Sequence, residues 1–281
     1  MKTSTKLRLA DGLRWGLGLF ERCGGRLPPI VERSGVRWAI DWNEAIDLAI
    51  ATTGGFDRPV QRAVHARIRP GAVVYDVGAN RGAIALPLAQ MVGADGTVHA
   101  FEAAGQAVEA FRRNLELNPS LAARIRLHHV FLSDGSAAPA SVDASWPVGR
   151  PRDPESPHGG RRCDLGEASA EPLDDLVARL DLPAPDLLKL DVDGHEAGVL
   201  AGAAALLRRH RPPIVLEVAP AAHDAIAVGG FEAMIDRLRE FRYRLATPGG
   251  RSLPLDAAML RHRVAAGSGI VAVAAFDDSR R

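Results

Sequence analysis

Val73-Val-Tyr75-Asp76-Val-Gly78-Ala-Asn80-Arg-Gly82 is the stretch that decides the fold. Five residues with one charge among them end at a glycine, the pattern of a strand buried on both faces. Glycines at 78 and 82 allow a tight turn and let a ligand lie against bare backbone. The next strand, 97–101, ends in Phe101-Glu102, twenty residues past Gly82. From that position a carboxylate accepts hydrogen bonds from both hydroxyls of a ribose.

Working outward, the pattern alternates. Helices are predicted at 83–92, 106–117, 173–180, 196–209 and 231–241. Strands are predicted at 125–132, 186–192 and 213–218. Such alternation implies a mostly parallel sheet with helices on both faces. Two last strands, 243–246 and 269–276, are expected to close one edge as an antiparallel pair, giving seven strands. Residues 1–68 read as an N-terminal helical cap, and 69–281 as the main domain. Within it, about 135–171 is expected to be a flexible insertion, most biased in the Pro-rich segment 147–162. A weak amphipathic helix around Leu7–Phe20 is expected to pack on the parent domain, with a membrane surface as the lesser alternative.

Composition narrows the function. The chain has 281 residues, 47% apolar and 25% charged, with net charge +1. That balance argues against broad nucleic-acid binding, which needs a basic face. Two cysteines, Cys23 and Cys163, make neither a disulfide framework nor a zinc site and suit a reducing cytoplasm. No apolar run is long enough to span a bilayer. Oligomeric state is left open. Of 35 basic residues only Lys2, Lys6 and Lys189 are lysines. Codon bias accounts for the trend, yet Lys189 falls in the stretch with the densest chemistry.

A dinucleotide site would carry G-x-G-x-x-G and bring a pyrophosphate to a helix N-terminus. Here the spacing is G-x-x-x-G, and Asp76 would repel a pyrophosphate. It suits a ligand with an ammonium and no phosphate, such as S-adenosylmethionine. The plainer reading is a glycine turn with a capping aspartate.

Y-D-V-G-A-N-R-G at 75–82, F-E at 101–102, S-D at 133–134, K-L-D-V-D-G-H-E at 189–196 and P-P-I-V-L-E at 212–217 resemble the FkbM-type methyltransferases. The resemblance covers roughly residues 36–247. It departs mildly where Ala103 follows Glu102 and where Asp193 replaces a glutamate. It implies a Rossmann-like class I methyltransferase using S-adenosylmethionine, usually on hydroxyl groups. It also implies that Asp76, Gly78, Asn80 and Gly82 line the methionine part of the cofactor, Glu102 the ribose, and Ser133 and Asp134 the adenine. An ordinary turn at 133–135 is the alternative for the last two.

The fourth strand carries the chemistry of transfer. Alternation puts Lys189, Asp191 and Asp193 on one side while the strand persists. A hydroxyl acceptor needs a proton taker, and Asp191, Asp193 and His195 all qualify. Lys189 would pair a carboxylate or orient the acceptor. Glu217, in an apolar strand, needs a partner or a site. No metal is expected, although Asp191, Asp193 and Glu217 form a conceivable hard-cation set. The expected activity is methyl transfer to a hydroxyl of a small molecule or glycan. Rivals are an NAD(P)-dependent oxidoreductase and a non-catalytic S-adenosylmethionine-binding module.

Overall fold

Residues 3–149 and 160–278 are described by the computed structural model. The chain opens with α1 (Thr3–Arg22), β1 (Ile30–Arg33), β2 (Val36–Ala39), α2 (Ala45–Thr53) and α3 (Arg58–His65). The decisive run becomes β3 (Val73–Val77), followed by α4 (Ala85–Val92), β4 (Thr97–Glu102), α5 (Gly105–Glu116), α6 (Pro119–Ala122) and β5 (Ile125–Leu132). Three short strands come next, β6 (Ser141–Ser145), β7 (Arg161–Asp164) and β8 (Ser169–Glu171). The second half runs α7 (Leu173–Leu180), β9 (Leu187–Leu190), α8 (Glu196–Gly202), α9 (Ala204–His210), β10 (Ile214–Val218) and α10 (Pro220–Ile226). It ends with α11 (Gly230–Glu240), β11 (Tyr243–Ala246), β12 (Ser252–Leu253), α12 (Ala257–Arg263) and β13 (Ile270–Phe276).

Among the described residues the main sheet has nine strands, in the order β12-β11-β13-β10-β9-β3-β4-β5-β8. The neighbours from β10 through β8 are all parallel. β13 inserts antiparallel between β10 and β11. Seven strands, β11 to β5, form the doubly wound Rossmann-like sheet expected of a class I methyltransferase. β12 and β8 are two- and three-residue additions at its edges. The chain winds outward through β4 and β5, then returns to β9 on the other side of β3. That reversal is where such sheets open a ligand crevice. Alternation along β3 feeds two cores: Val74 packs on one face, Tyr75 and Val77 on the other.

Three expectations need correction. The N-terminal segment is not only helical: β1 and β2 form a hairpin across Ser34-Gly35, both at positive φ (51° and 73°), as a two-residue type I′ turn demands. The free edge of β2 is covered by asparagines. Asn118 Oδ1 accepts from the Arg37 N–H at 2.9 Å, and Asn114 Oδ1 from the Ala39 N–H at 2.9 Å. The predicted insertion is not mere loop either. β6 and β7 pair antiparallel, and Ala144 and Cys163 pack on Ala104 and Ala107. Of the Pro-rich segment, residues 150–159 lie outside the described residues. Lastly, the single helix predicted over 196–209 is two, α8 and α9, broken at Ala203.

Candidate active site

The carboxyl ends of β3, β4, β5 and β9 surround a narrow cleft of about 60 Å³, tighter than the usual small-molecule site. Gly78, Asn80, Glu102, Asp191, Asp193 and His195 all line it. Sequence reading had separated these residues into cofactor and reaction groups; the fold brings them to one cavity.

Gly78 makes the loop after β3 possible. Its φ is +76°, and a Cβ there would lie 1.8 Å from the Asp191 carbonyl oxygen. Gly82 has a different reason: a Cβ would run into the Phe111 ring at 2.4 Å. Asn80 also adopts a left-handed φ of 49°, which asparagine tolerates. Its Nδ2 donates to the Ala144 carbonyl at 3.1 Å, tying the loop to β6.

Lys189 stands beneath the loop rather than in the cleft. It is buried, with Nζ 3.1 Å from Val77 O, 2.7 Å from Gly78 O and 3.1 Å from Asp76 Oδ1. Three ammonium donors thus meet three acceptors. Burial pulls its pKa down, but Asp76 and Asp191 outweigh that and hold it above the usual lysine value. Asp76 is fully buried and spends its charge on Lys189, not on the cleft. Asp76 thus does not face a ligand as expected, and of the two alternatives for Lys189 the geometry matches pairing with a carboxylate. A planar guanidinium does not reproduce this tripod. Lys189→Arg should therefore lower unfolding stability by about 1–3 kcal/mol through overpacking, measured by urea titration. An unchanged midpoint would make the lysine dispensable.

Glu102 closes β4. Its carboxylate accepts the N–H groups of Asn80 (2.7 Å), Ala103 (3.0 Å) and Ala104 (2.8 Å). Burial raises its pKa, and those N–H groups oppose the rise. A carboxylate has about four lone-pair sites, so three backbone donors leave room for about one more.

Past β9 the alternation stops at Leu190, and a turn presents the chemistry. Asp191 lies 3.9 Å from Lys189 Nζ and is partly exposed. Asp193 sits at φ +50°, before Gly194 at φ +105°. Burial, then repulsion from Asp191 and Glu217, push the Asp193 pKa well above the usual carboxylate range. Glu196 holds this turn from below. It accepts the Val192 and Gly194 N–H groups, each at 3.0 Å, and pairs with His223 Nδ1 at 3.2 Å. His195 packs edge-on to Phe131. Burial and His223 keep its pKa below 6.5, so the imidazole is neutral at pH 7. Glu217 is absent from the cleft wall; its carboxylate lies against Gly269, where a Cβ would meet Oε1 at 2.0 Å. Its charge repels that of Asp193.

Ser133 and Asp134 fall outside the cleft lining. Ser133 Oγ accepts from the Gly135 N–H, and Asp134 Oδ1 from the Ser136 N–H. The ordinary-turn alternative describes them.

Two groups escaped the sequence reading. Asp143, on β6, lines the same cleft as Asp191 and Asp193. Arg81, inside the glycine loop, is buried and pairs with Asp47 of α2, with Glu44 at 3.8 Å. Glu44 in turn accepts the Ser145 hydroxyl at 2.6 Å and the Trp146 N–H at 2.8 Å. Burial, against the pull of Arg81, brings the Asp47 pKa up to about 6. The cap, the loop and the β6–β7 hairpin are thus joined through one buried polar network.

The family model described as the methyltransferase FkbM domain matches residues 76–245. No curated protein matches the chain. Among solved structures it is similar to a methyltransferase FkbM from Methylobacillus flagellatus KT, at 17% identity and TM-score 0.46, covering 78% of this chain and 48% of that one. The chain therefore spans about half the length of that relative. It is also similar to a SAM-dependent O-methyltransferase from Thermotoga maritima (15% identity, TM-score 0.44, 90% and 78% covered). A third is an O-methyltransferase from Bacillus cereus in complex with SAH (14%, 0.43, 77% and 78%). The matched span runs from β3 into β11 and takes in the glycine loop, Glu102 and the Asp191–His195 turn: the chain belongs to the family of FkbM-domain methyltransferases.

Proposed function

We propose that the protein transfers a methyl group from S-adenosylmethionine to a hydroxyl of a small molecule or glycan, in the cytoplasm. Residues 69–281 would form the catalytic domain and residues 1–68 its cap. The observation that carries this reading is the carboxylate-lined cleft at the reversal of strand order, with Asp143, Asp191 and Asp193 around it and Glu102 at the end of β4. The carboxylates of Asp143 and Asp191 favour a ligand with a sulfonium and an ammonium, and disfavour a pyrophosphate. The same charge argues against the NAD(P)-dependent alternative. The cofactor fits the residues present. Gly78 and Asn80 would hold its methionine part and Asp191 its ammonium. Glu102 would accept one ribose hydroxyl, since three of its lone pairs are already taken. Phe101 and Leu132 offer an apolar wall for the adenine.

The cofactor supplies a methyl already activated by its sulfonium, so the protein mainly positions the acceptor. A neutral alcohol must lose its proton as it attacks. His195 is the group we assign to take it, being neutral at pH 7 and on the cleft wall. The raised pKa of Asp193 keeps a proton on that carboxyl further up the pH scale, which suits it to hydrogen-bond the acceptor oxygen.

Calorimetric titration with S-adenosylhomocysteine tests the cofactor, and Glu102→Gln should weaken binding about ten- to hundredfold by losing a charged acceptor. Equal affinity in wild type and variant refutes the ribose contact. Stabilisation by NADH alone would favour the oxidoreductase. Mass spectrometry of products from a panel of hydroxylated small molecules and glycans tests the acceptor; methyl groups found on nitrogen would overturn the O-directed part. A chain that binds the cofactor and methylates nothing in that panel would favour the non-catalytic module.

A further inference from the structure

Helix α1 is the least explained part of the molecule. One side of it packs: Leu7 is buried, α1 contacts α2, and Arg14 reaches Asn43 Oδ1 at 3.0 Å. The rest of its surface carries Leu9, Leu13, Trp15, Leu19 and Phe20, all 43–73% exposed, with Trp15 and Leu19 along an open groove beside Asn43 and Gly149. Side chains this large on one helix are seldom left in water without a partner.

Charge decides which partner. The first 26 residues hold six basic side chains, Lys2, Lys6, Arg8, Arg14, Arg22 and Arg26, against Asp11 and Glu21, although the whole chain nets only +1. The two acids are both engaged within the protein. Asp11 Oδ1 accepts the Gly149 N–H at 3.1 Å, and Glu21 pairs with Arg14 at 2.9 Å. Arg8, Arg22 and Arg26 stay exposed beside the apolar face. A second copy of so basic a helix would be repelled. An anionic bilayer surface attracts the arginines and takes up the tryptophan, phenylalanine and leucines at the headgroup boundary. No helix among the described residues is long and apolar enough to cross a membrane, so contact would be lateral.

We infer that α1 is an interfacial helix that docks the protein on anionic lipid surfaces, with Leu9, Trp15 and Phe20 inserted and Arg8 and Arg22 on the headgroups. The inference is independent of the proposed reaction, because it uses no residue of the cleft. It also has a consequence for the cleft. Asp11 bonds to Gly149, four residues past β6, whose Asp143 lines the site. The docked helix would thus hold one end of the hairpin that flanks the acceptor.

Co-sedimentation with vesicles tests it. The full chain should pellet with phosphatidylcholine vesicles containing about 30% phosphatidylglycerol, and be released by about 0.5 M salt. The triple variant Leu9→Glu, Trp15→Glu, Phe20→Glu should bind those vesicles at least about tenfold more weakly. Its thermal midpoint should match wild type, since the three side chains face water. Absence of pelleting with wild type, equal pelleting of the variant, or equal binding to pure phosphatidylcholine would each overturn the inference. So would a wild-type dimer that the triple variant converts to a monomer, because the apolar face would then belong to a second copy.

Discussion

Gly78→Ala will lose more than about 4 kcal/mol of unfolding stability, a size reserved for changes with a defined steric cause. The new Cβ would sit 1.8 Å from the Asp191 carbonyl oxygen and 2.8 Å from its carbon. Both are backbone atoms, so no rotamer relieves the overlap. Asp191 cannot withdraw easily, because its N–H is bonded to Val77 O and β9 is registered on β3 at Val77 and Leu190. The left-handed φ adds a penalty of its own. Relaxation would have to separate the two strands at the point where the cleft begins. Chemical denaturation followed by circular dichroism reads the effect directly. A loss below about 1 kcal/mol would mean that the loop and the turn after β9 are not packed against each other.

The second large effect is kinetic. His195→Ala should lower kcat by about 10²–10⁴, the usual share of a positioned base, while leaving S-adenosylhomocysteine affinity unchanged. The pH profile makes the test specific. Burial and the nearby His223 hold the folded-state pKa of His195 below 6.5. Protonation removes the base, so wild-type activity should be level from neutral pH upward and fall on the acid side, with its midpoint below 6.5. The variant's residual activity should lack that limb. Stability has the same sign: a lowered histidine pKa means that the unfolded chain takes the proton first. The contribution is present above 6.5 and is lost as pH falls from there through the lower folded-state pKa. A variant with full rate and an unaltered acid limb would move the base to Asp191.

The central sheet was legible because its evidence is local. β3, β4, β5, β9 and β10 are short apolar runs between turn signals, and their alternation with helices fixes parallel pairing. The antiparallel closure by β13 also followed from strands that lack a long crossover helix between them. Gly78, Asn80 and Glu102 were legible as residues of one cleft because glycine spacing and strand-end acids report backbone shape. What stayed hidden depends on distant pairing. Ser141–Ser145 has little apolar content, and it is a strand only because Arg161–Asp164 returns to it; Asp143 was lost with it. Arg81 looks like any other arginine in an arginine-rich chain until α2 brings Asp47 over it. Lys189 was singled out correctly as unusual, but the sequence cannot say that its ammonium points under the loop instead of into the cleft. The β1–β2 hairpin did leave a signal, the Ser34-Gly35 pair between apolar residues.

The Arg81 network bears on where the functional unit begins. The recognisable family pattern starts at Asp76, which invites cutting the gene near there to obtain a minimal enzyme. Such a fragment would carry a guanidinium in its interior with both acidic partners deleted, a situation that costs about 3–5 kcal/mol for a buried pair. It would also lose the acceptor that anchors Ser145 and Trp146. The start of the family match and the unit that satisfies Arg81 therefore do not share a boundary. Glu44 and Asp47 belong to the same folding unit as a single arginine in the loop.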